Sequence, residues 1–483
     1  MIRADLRTAV ALFVIVAAAY GLTAWDRLLR PSPQFHFVDL AQSFLDGRLD
    51  TDTPEQPAWR TESGDPRGYR DAIRRTVDAG GWNDWAAIRT LTLRDGTVVR
   101  GVFPWAGAQD ETRHLFHTLD NEERKVVIPG DLARTCGENG RSLCDRTDHY
   151  VSFPPFPGVA MIPFVAVWGY DTNDVLITVL VGALNAVLLF LFLQLLVRRG
   201  HSTRSRRDNA WLAIAFALGT AAFFASNRGE VWFSALVFGV ALNVLFMMAA
   251  LDLRHPILAG LFLGLGMATR TPIAFCVAFF AWQLFMPQNR WQSGRWREIL
   301  VKGTLFSLPL LAVGGLLLAY NQARFGLPFE FGHSFLSGGA ADRVRDHGLF
   351  STWYLNLNLQ AALVNVPRVI GDAPFVLITK HGLGLLFSTP ILFLLMRPAA
   401  MPPIRRALWL AVAAAAIPGL LYQNTGWEQF AYRFAMDYLP YLIALLAVGG
   451  RPLTGRVKAV ILFGVAVNLF GAITFGRMPW FYY

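Results

Sequence analysis

Three groups of side chains in this sequence could do chemistry. His36, Asp39 and Asp50 follow the first apolar run, and a carboxylate or imidazole held in place can accept a proton from a hydroxyl. Arg270, Arg324, Lys380, His381 and Arg433 stand further along the chain. Such cations can hold an oxyanion, arginine through its planar fork, and stabilise charge as a bond to that oxyanion breaks. Glu230, Trp232, Tyr320, Glu330, Trp427, Glu428, Tyr432 and Asp437 could line a bound polar molecule, with the rings stacking on it. Each group also has a plainer reading. Arg433 and Asp437 are four apart and could pair with each other. Arg270 could be a snorkelling residue, and the aromatics could form an interfacial belt.

The elements that must position these residues follow from composition. Of 483 residues, 54% are hydrophobic and only 16% charged, which excludes a disordered or nucleic-acid-binding tail protein despite a net charge of +10. The charge is also unevenly placed. Residues 26–171 hold 22 acids and 17 bases, whereas the rest of the chain holds 12 acids and 27 bases. An acidic polar segment is therefore set into a basic, very apolar remainder. That remainder contains apolar runs with at most one charge each, near the ~20 residues that cross a bilayer as helix. They lie at Thr8–Trp25, Val175–Val197, Trp211–Ser226, Trp232–Leu251, Ile257–Thr269, Pro272–Met286, Val301–Tyr320, Leu383–Met396, Leu408–Leu421, Phe434–Val448 and Ala459–Phe475. The expected fold class is a polytopic α-helical membrane protein of about eleven transmembrane helices.

With the N-terminus in the cytoplasm, the inner loops carry Arg198, Arg199, Arg204, Arg206 and Arg207, then Arg254, then Arg290, Arg295, Arg297 and Lys302. Arg397, Arg405 and Arg406 follow, then Arg451, Arg456 and Lys458. This is the positive-inside bias at every turn, provided that Pro154–Gly169 lies on the outer surface and does not span. The large first loop and the C-terminus are then extracytoplasmic. Cys136 and Cys144, eight apart in that loop, would pair as a disulfide in an oxidising compartment or stay as two free thiols. Cys276 falls within a span and reads as a small buried residue. Without a second Cys or His pair, the two loop cysteines do not make a zinc site.

Within the loop, Trp85–Phe103 alternates loosely between apolar and polar residues around Asp95-Gly96, which predicts a hairpin. Phe37, Leu40, Ala41, Phe44 and Leu45 fall on one helical face, with His36, Asp39, Ser43 and Asp46 on the other and Gly47 as a stop. This predicts an amphipathic helix lying flat on the outer leaflet, with its histidine and two carboxylates displayed at the bilayer surface. The expected organisation is a first span and interfacial helix over 1–50, a small extracytoplasmic α+β module over 51–150, and a Pro-rich interfacial helix plus the remaining spans over 151–483.

Three phrases stand in order: His36-Phe-Val-Asp-Leu-Ala-Gln-Ser-Phe-Leu-Asp-Gly-Arg-Leu49, Tyr150-Val-Ser-Phe-Pro-Pro-Phe-Pro157 and Tyr320-Asn-Gln-Ala-Arg-Phe-Gly-Leu-Pro-Phe-Glu-Phe-Gly332. With the Gly-rich run ending in Arg270 and Pro272, and the late loop Gly426–Pro440, they resemble the GT-C superfamily of membrane glycosyltransferases. The resemblance is to the bacterial branch related to protein mannosyltransferases and lipid A aminoarabinose transferases. It covers most of the chain outside about 51–148, which looks like an insertion.

The resemblance implies a GT-C-like fold in the bacterial cytoplasmic membrane and a polyprenyl-phosphate-linked sugar donor. Sugar transfer would go to a glycan, lipid or protein acceptor at the outer face, usually with inversion. It also implies an acid of the first outer loop as general base. Many relatives carry an Asp-Glu pair just before the amphipathic helix. Pro33-Gln34 stand there here, so the role falls first to Asp39, then to His36, then to Asp50. The phosphate would be held by Arg270, Arg433 and Arg324, with Lys380 and His381 behind them. Some relatives resemble metal-assisted enzymes, which leaves a divalent metal open, but no ligand cluster in this sequence argues for one. The competing readings are a lipid or sugar transporter or flippase, for which Ile257–Met286 could be a broken helix pair, and a non-catalytic assembly or sensor protein.

Overall fold

The computed structural model describes residues 2–32, 34–51, 84–93, 95–102, 113–118, 126–129, 145–333, 343–344 and 346–483. Cys136 and Cys144 lie outside the described residues, as do Pro33 and much of the expected module. The chain forms two compact units. The first comprises Met1–Ser32, Asn173–Gly314 and Phe350–Tyr483; the second comprises Pro33–Thr172 and Gly315–Leu349.

The first unit is helical. Among the described residues, six helices are long and apolar enough to cross a membrane: Arg3–Leu29, Asp174–Arg198, Val231–Leu253, Trp296–Phe325, Ile404–Leu421 and Gly455–Thr474. Trp296–Phe325 belongs to the first unit up to Gly314 and to the second from Gly315. These six match six of the eleven expected runs. Three more runs form shorter apolar helices, Pro256–Met267, Thr271–Phe285 and Leu439–Val448.

The other two runs are broken, each for a local reason. The helix Arg206–Leu218 stops at Gly219, and Ala222–Ser226 restarts after Thr220, whose hydroxyl donates to the Phe216 carbonyl and accepts from the Ala222 amide. Leu385–Ser388 gives way at Thr389 to a 3-10 turn beginning at Pro390, which has no amide proton to continue the helix.

Caps fix several helix starts. The Asn173 side chain accepts from the Leu176 amide at 2.9 Å, and Ser205 accepts from Asp208 at 3.1 Å. Polar residues inside the bundle are used as ties. Tyr20 donates to the Ala217 carbonyl and Asn185 to that of Val237. Asn243 donates to the Asp437 carbonyl and accepts from Tyr441.

The second unit is built on a five-stranded antiparallel sheet of order β4-β3-β2-β1-β5. The strands are β1 (Trp85–Thr92), β2 (Val98–Val102), β3 (Arg113–Thr118), β4 (Val126–Pro129) and β5 (Asp145–Val151). The expected hairpin is β1–β2, with Thr92 opposite Val98 and Arg89 opposite Gly101. Its turn places Gly96 at φ +86°, where a side chain would be strained, and Asp95 accepts from the Thr97 amide at 2.8 Å. The sheet runs beyond the hairpin, because β5 pairs along the whole length of β1 from Trp85–Val151 to Leu91–Asp145.

Two helices accompany the sheet. Phe156–Trp168 has 13 residues and Pro163 inside it, too short to cross a membrane, as expected for 154–169. His36–Leu45 packs on it so closely that a Cβ on Gly158 would stand 3.0 Å from Leu40. The expected face pattern of His36–Leu45 is corrected here. His36, Asp39 and Ser43 are buried together with Phe37, Leu40 and Ala41, and it is Leu45 and Asp46 that are exposed. The supposedly solvated face is covered by Trp85 and Tyr170, so the polar groups meet protein instead of headgroups.

Candidate functional site

In the second unit, the first turn of His36–Leu45 carries the candidate acid and imidazole. The His36 ring stacks on the Trp85 indole with centroids 3.4 Å apart. One helical turn on, Asp39 accepts from Trp85 Nε1 at 3.3 Å and from the Tyr170 hydroxyl at 3.4 Å. Phe35 packs against both Trp85 and Tyr170. Trp85 thus serves two partners: its face holds the imidazole and its N–H reaches the carboxylate. These two bonds are long for their kind. Asp50, the third candidate, stands apart and faces Arg48 at 3.4 Å.

Arg324, Tyr320 and Glu330 also belong to this unit. Arg324 is buried, donates to the Val151 carbonyl at 2.7 Å and to Asn321 at 2.8 Å, and lies over the Tyr320 and Phe325 rings. Those contacts tie the end of the long helix to the end of β5, so Arg324 acts as a strut. Glu330 caps a turn by accepting from the Gly332 amide.

In the first unit, Arg270 sits in an extended break between Pro256–Met267 and the 3-10 turn that opens at Thr271. Its Nε and Nη2 donate to the two carboxylate oxygens of Asp437 at 2.7 and 2.8 Å. Both side chains are largely buried. The partner of Asp437 is therefore Arg270, 167 positions away in sequence, and not Arg433. The reason is backbone shape: Arg433–Asp437 is a 3-10 turn, which removes the α-helical i,i+4 juxtaposition. Asn243 fixes the same turn from below through the Asp437 carbonyl.

Arg433 is buried, with its guanidinium 5.1 Å from the Phe233 ring centre and 5.7 Å from that of Phe434. Burial, with the Asp437 carboxylate next, pushes the Tyr432 hydroxyl up, so Tyr432 remains a donor throughout the physiological range.

Lys380 and His381, read as phosphate holders, come together with Trp427 and Glu428, read as lining residues. Lys380 faces Glu428 at 3.1 Å, His381 shares a 2.7 Å hydrogen bond with the Thr425 hydroxyl, and both side chains approach the Trp427 ring. Gln429 organises this loop. Its amide nitrogen donates to the His381 and Thr425 carbonyls, and its oxygen accepts from the Arg433 amide.

Glu230 has a different partner from any the sequence suggests. Arg228 grips it with Nε at 3.0 and 3.1 Å and with a shorter contact from Nη2. Burial alone would raise the Glu230 carboxyl, but the charge and hydrogen bonds of Arg228 outweigh it and hold the group below the usual range. Arg228 also lies over Phe233 and Phe475. Arg27 Nη2 donates to the Phe475 carbonyl at 2.9 Å, and Arg477 faces Asp26 at 3.1 Å. Trp232 is half-buried against the helical core.

Sequence reasoning missed Trp85, Tyr170, Arg27, Arg228, Gln429 and Arg477. Arg228 was legible as a charge beside a span start; the others needed the fold. Among the described residues no group of three or more His, Cys, Asp or Glu could hold a metal ion. The chain matches no family model, no curated protein and no solved structure.

Proposed function

We propose that the chain is a glycosyltransferase of GT-C-like architecture. It would move a sugar from a polyprenyl-phosphate-linked donor to an acceptor hydroxyl at the outer face of the bacterial cytoplasmic membrane, with inversion. In this reading the N-terminus is cytoplasmic, and the three shorter apolar helices and the two broken runs join the six long helices to make eleven crossings. The observation that carries the proposal is the Asp39 carboxylate, buried beside a stacked imidazole and held by two long hydrogen bonds.

A sugar hydroxyl is a poor nucleophile until a base accepts its proton. Asp39 takes that proton as the acceptor oxygen attacks the anomeric carbon. The bond from that carbon to the phosphate oxygen breaks, and the polyprenyl phosphate leaves as an anion. Such an anion needs a cationic donor to stabilise it as it leaves. The test is turnover of purified Asp39→Asn with a polyprenyl-phosphate sugar: transfer should collapse while the protein stays folded, and undiminished transfer overturns the assignment.

A second reading, a transporter for a lipid or sugar, is favoured by one observation. Arg270 stands in an extended break between two short apolar helices, the geometry of discontinuous helices in secondary transporters. Movement of the labelled donor across proteoliposomes without sugar transfer would select it.

A further inference from the structure

Arginines in the short basic loops have a sufficient explanation as orientation signals, but that role asks only that they be charged and near the membrane. Arg204 does not fit it, because it is only 7% exposed. It follows the helix Asp174–Arg198, and its Nη2 donates to the Leu446 carbonyl at 2.9 Å. Across a small pocket stands Arg405, in the first turn of Ile404–Leu421, with Nη2 3.4 Å from the Leu395 carbonyl and its guanidinium 5.8 Å from the Trp409 ring centre. Arg451 completes the rim and donates from Nε to the Arg397 carbonyl.

Apart from these three arginines, the pocket is lined by Leu, Ile, Pro and Gly, including Ile391, Leu394, Leu446 and Leu453. It holds about 270 Å³ counting its open mouth. Its enclosed part has room for about one water-sized atom, so one phosphate oxygen would enter it while the rest of the group sits in the open mouth.

Two of its donors, Arg204 Nε and Arg405 Nη1, are buried and find no hydrogen-bond partner among the described residues. Asp208, the acid beside Arg204, is engaged by the Ser205 hydroxyl at 2.9 Å. Burying guanidinium donors away from both water and acceptor costs free energy unless an anion meets them. Three cations converging on an apolar-walled slot, with no carboxylate in the lining, supply the chemistry that recognises a phosphate. A basic pocket between helix ends on the inner side of a membrane suits an anionic lipid headgroup.

We propose that Arg204, Arg405 and Arg451 form a phosphate-binding pocket at the cytoplasmic ends of the helices, filled by the phosphate of an anionic phospholipid or by free phosphate. It does not depend on the glycosyltransferase reading, since a transporter or an assembly protein could carry it equally.

The experiment uses the purified full chain stripped of lipid. Native mass spectrometry follows retention of phosphatidylglycerol against phosphatidylcholine, and thermal unfolding follows the response to inorganic phosphate. Wild type should retain phosphatidylglycerol selectively, and Arg405→Gln should weaken that retention about tenfold or more. Arg405 makes only one long bond to protein, so that variant should fold. Arg204→Lys, which keeps the charge and loses the fork, should fall between the two. Stabilisation by millimolar phosphate with no preference for phosphatidylglycerol, lost in Arg405→Gln, would support the same pocket with free phosphate as its occupant. Unchanged retention and phosphate response in both variants overturns the proposal. So does an equal loss in the control Arg290→Gln/Arg297→Gln, whose two arginines are exposed in another basic loop.

Discussion

Asp39 and Asp437 are both buried carboxylates, yet their surroundings differ in kind. Asp437 meets a guanidinium through two short parallel bonds, whereas Asp39 accepts from an indole N–H and a phenol over longer ones. The first arrangement is a lock: charge and geometry are satisfied, and removing either partner strands the other. The second sets the carboxylate against an indole N–H and a phenol, which orient it through longer bonds. A sequence contains both residues as plain Asp; only the fold shows how differently they are partnered.

The largest break in this comparison should come from Asp39→Asn. It should lower sugar transfer by about 10²–10⁴-fold, the usual worth of a general base, with little change in folded yield. Asp437→Leu should do the reverse and cost about 3–5 kcal/mol of stability by leaving Arg270 buried without its carboxylate. Aggregation temperature in detergent reads that loss, and Arg270→Leu added to it should restore most of what was lost. A smaller change, Trp85→Phe, keeps a ring under His36 but deletes the N–H to Asp39. It should cost about 0.5–1.5 kcal/mol, measured the same way.

Glu230 sharpens the comparison through pH. Its carboxyl is depressed by Arg228, so the stability it contributes is present above the ordinary glutamate range and is lost as pH falls through the lower folded value. Glu230→Gln should therefore flatten the acid side of a stability profile and leave the neutral side with a constant offset. The smallest effect should belong to Lys380→Met, which removes an exposed ion pair to Glu428. About 0.5 kcal/mol or less is expected, falling further with added salt.

Local signals were legible in the sequence where local physics decides. Asp95-Gly96 specifies its hairpin because few other dipeptides accept that turn. Long apolar runs specify six membrane-length helices. Breaks inside apolar runs were harder to read. Gly219-Thr220 and Thr389-Pro390 interrupt helices without interrupting hydropathy, so hydropathy overcounts single helices. The helix His36–Leu45 shows a different limit. Its periodicity correctly marks two faces, but nothing local says that an indole from β1 and a phenol from 170 will cover the polar one. The Arg270–Asp437 pair is non-local in the same way. The nearer Arg433 looked the natural partner until the 3-10 turn displaced it.

The short helix before Arg270 has a consequence for depth. Pro256–Met267 has 12 residues, a rise of roughly 18 Å, against a hydrocarbon thickness of about 30 Å. If it starts at one boundary of a bilayer, it ends well short of the other, and the Arg270 turn would lie below that opposite boundary. A phosphate reaching that guanidinium would have to sink past the acyl–glycerol level, or the bilayer would have to thin there. Activity should then track lipid chain length, rising in thinner bilayers where the mismatch shrinks.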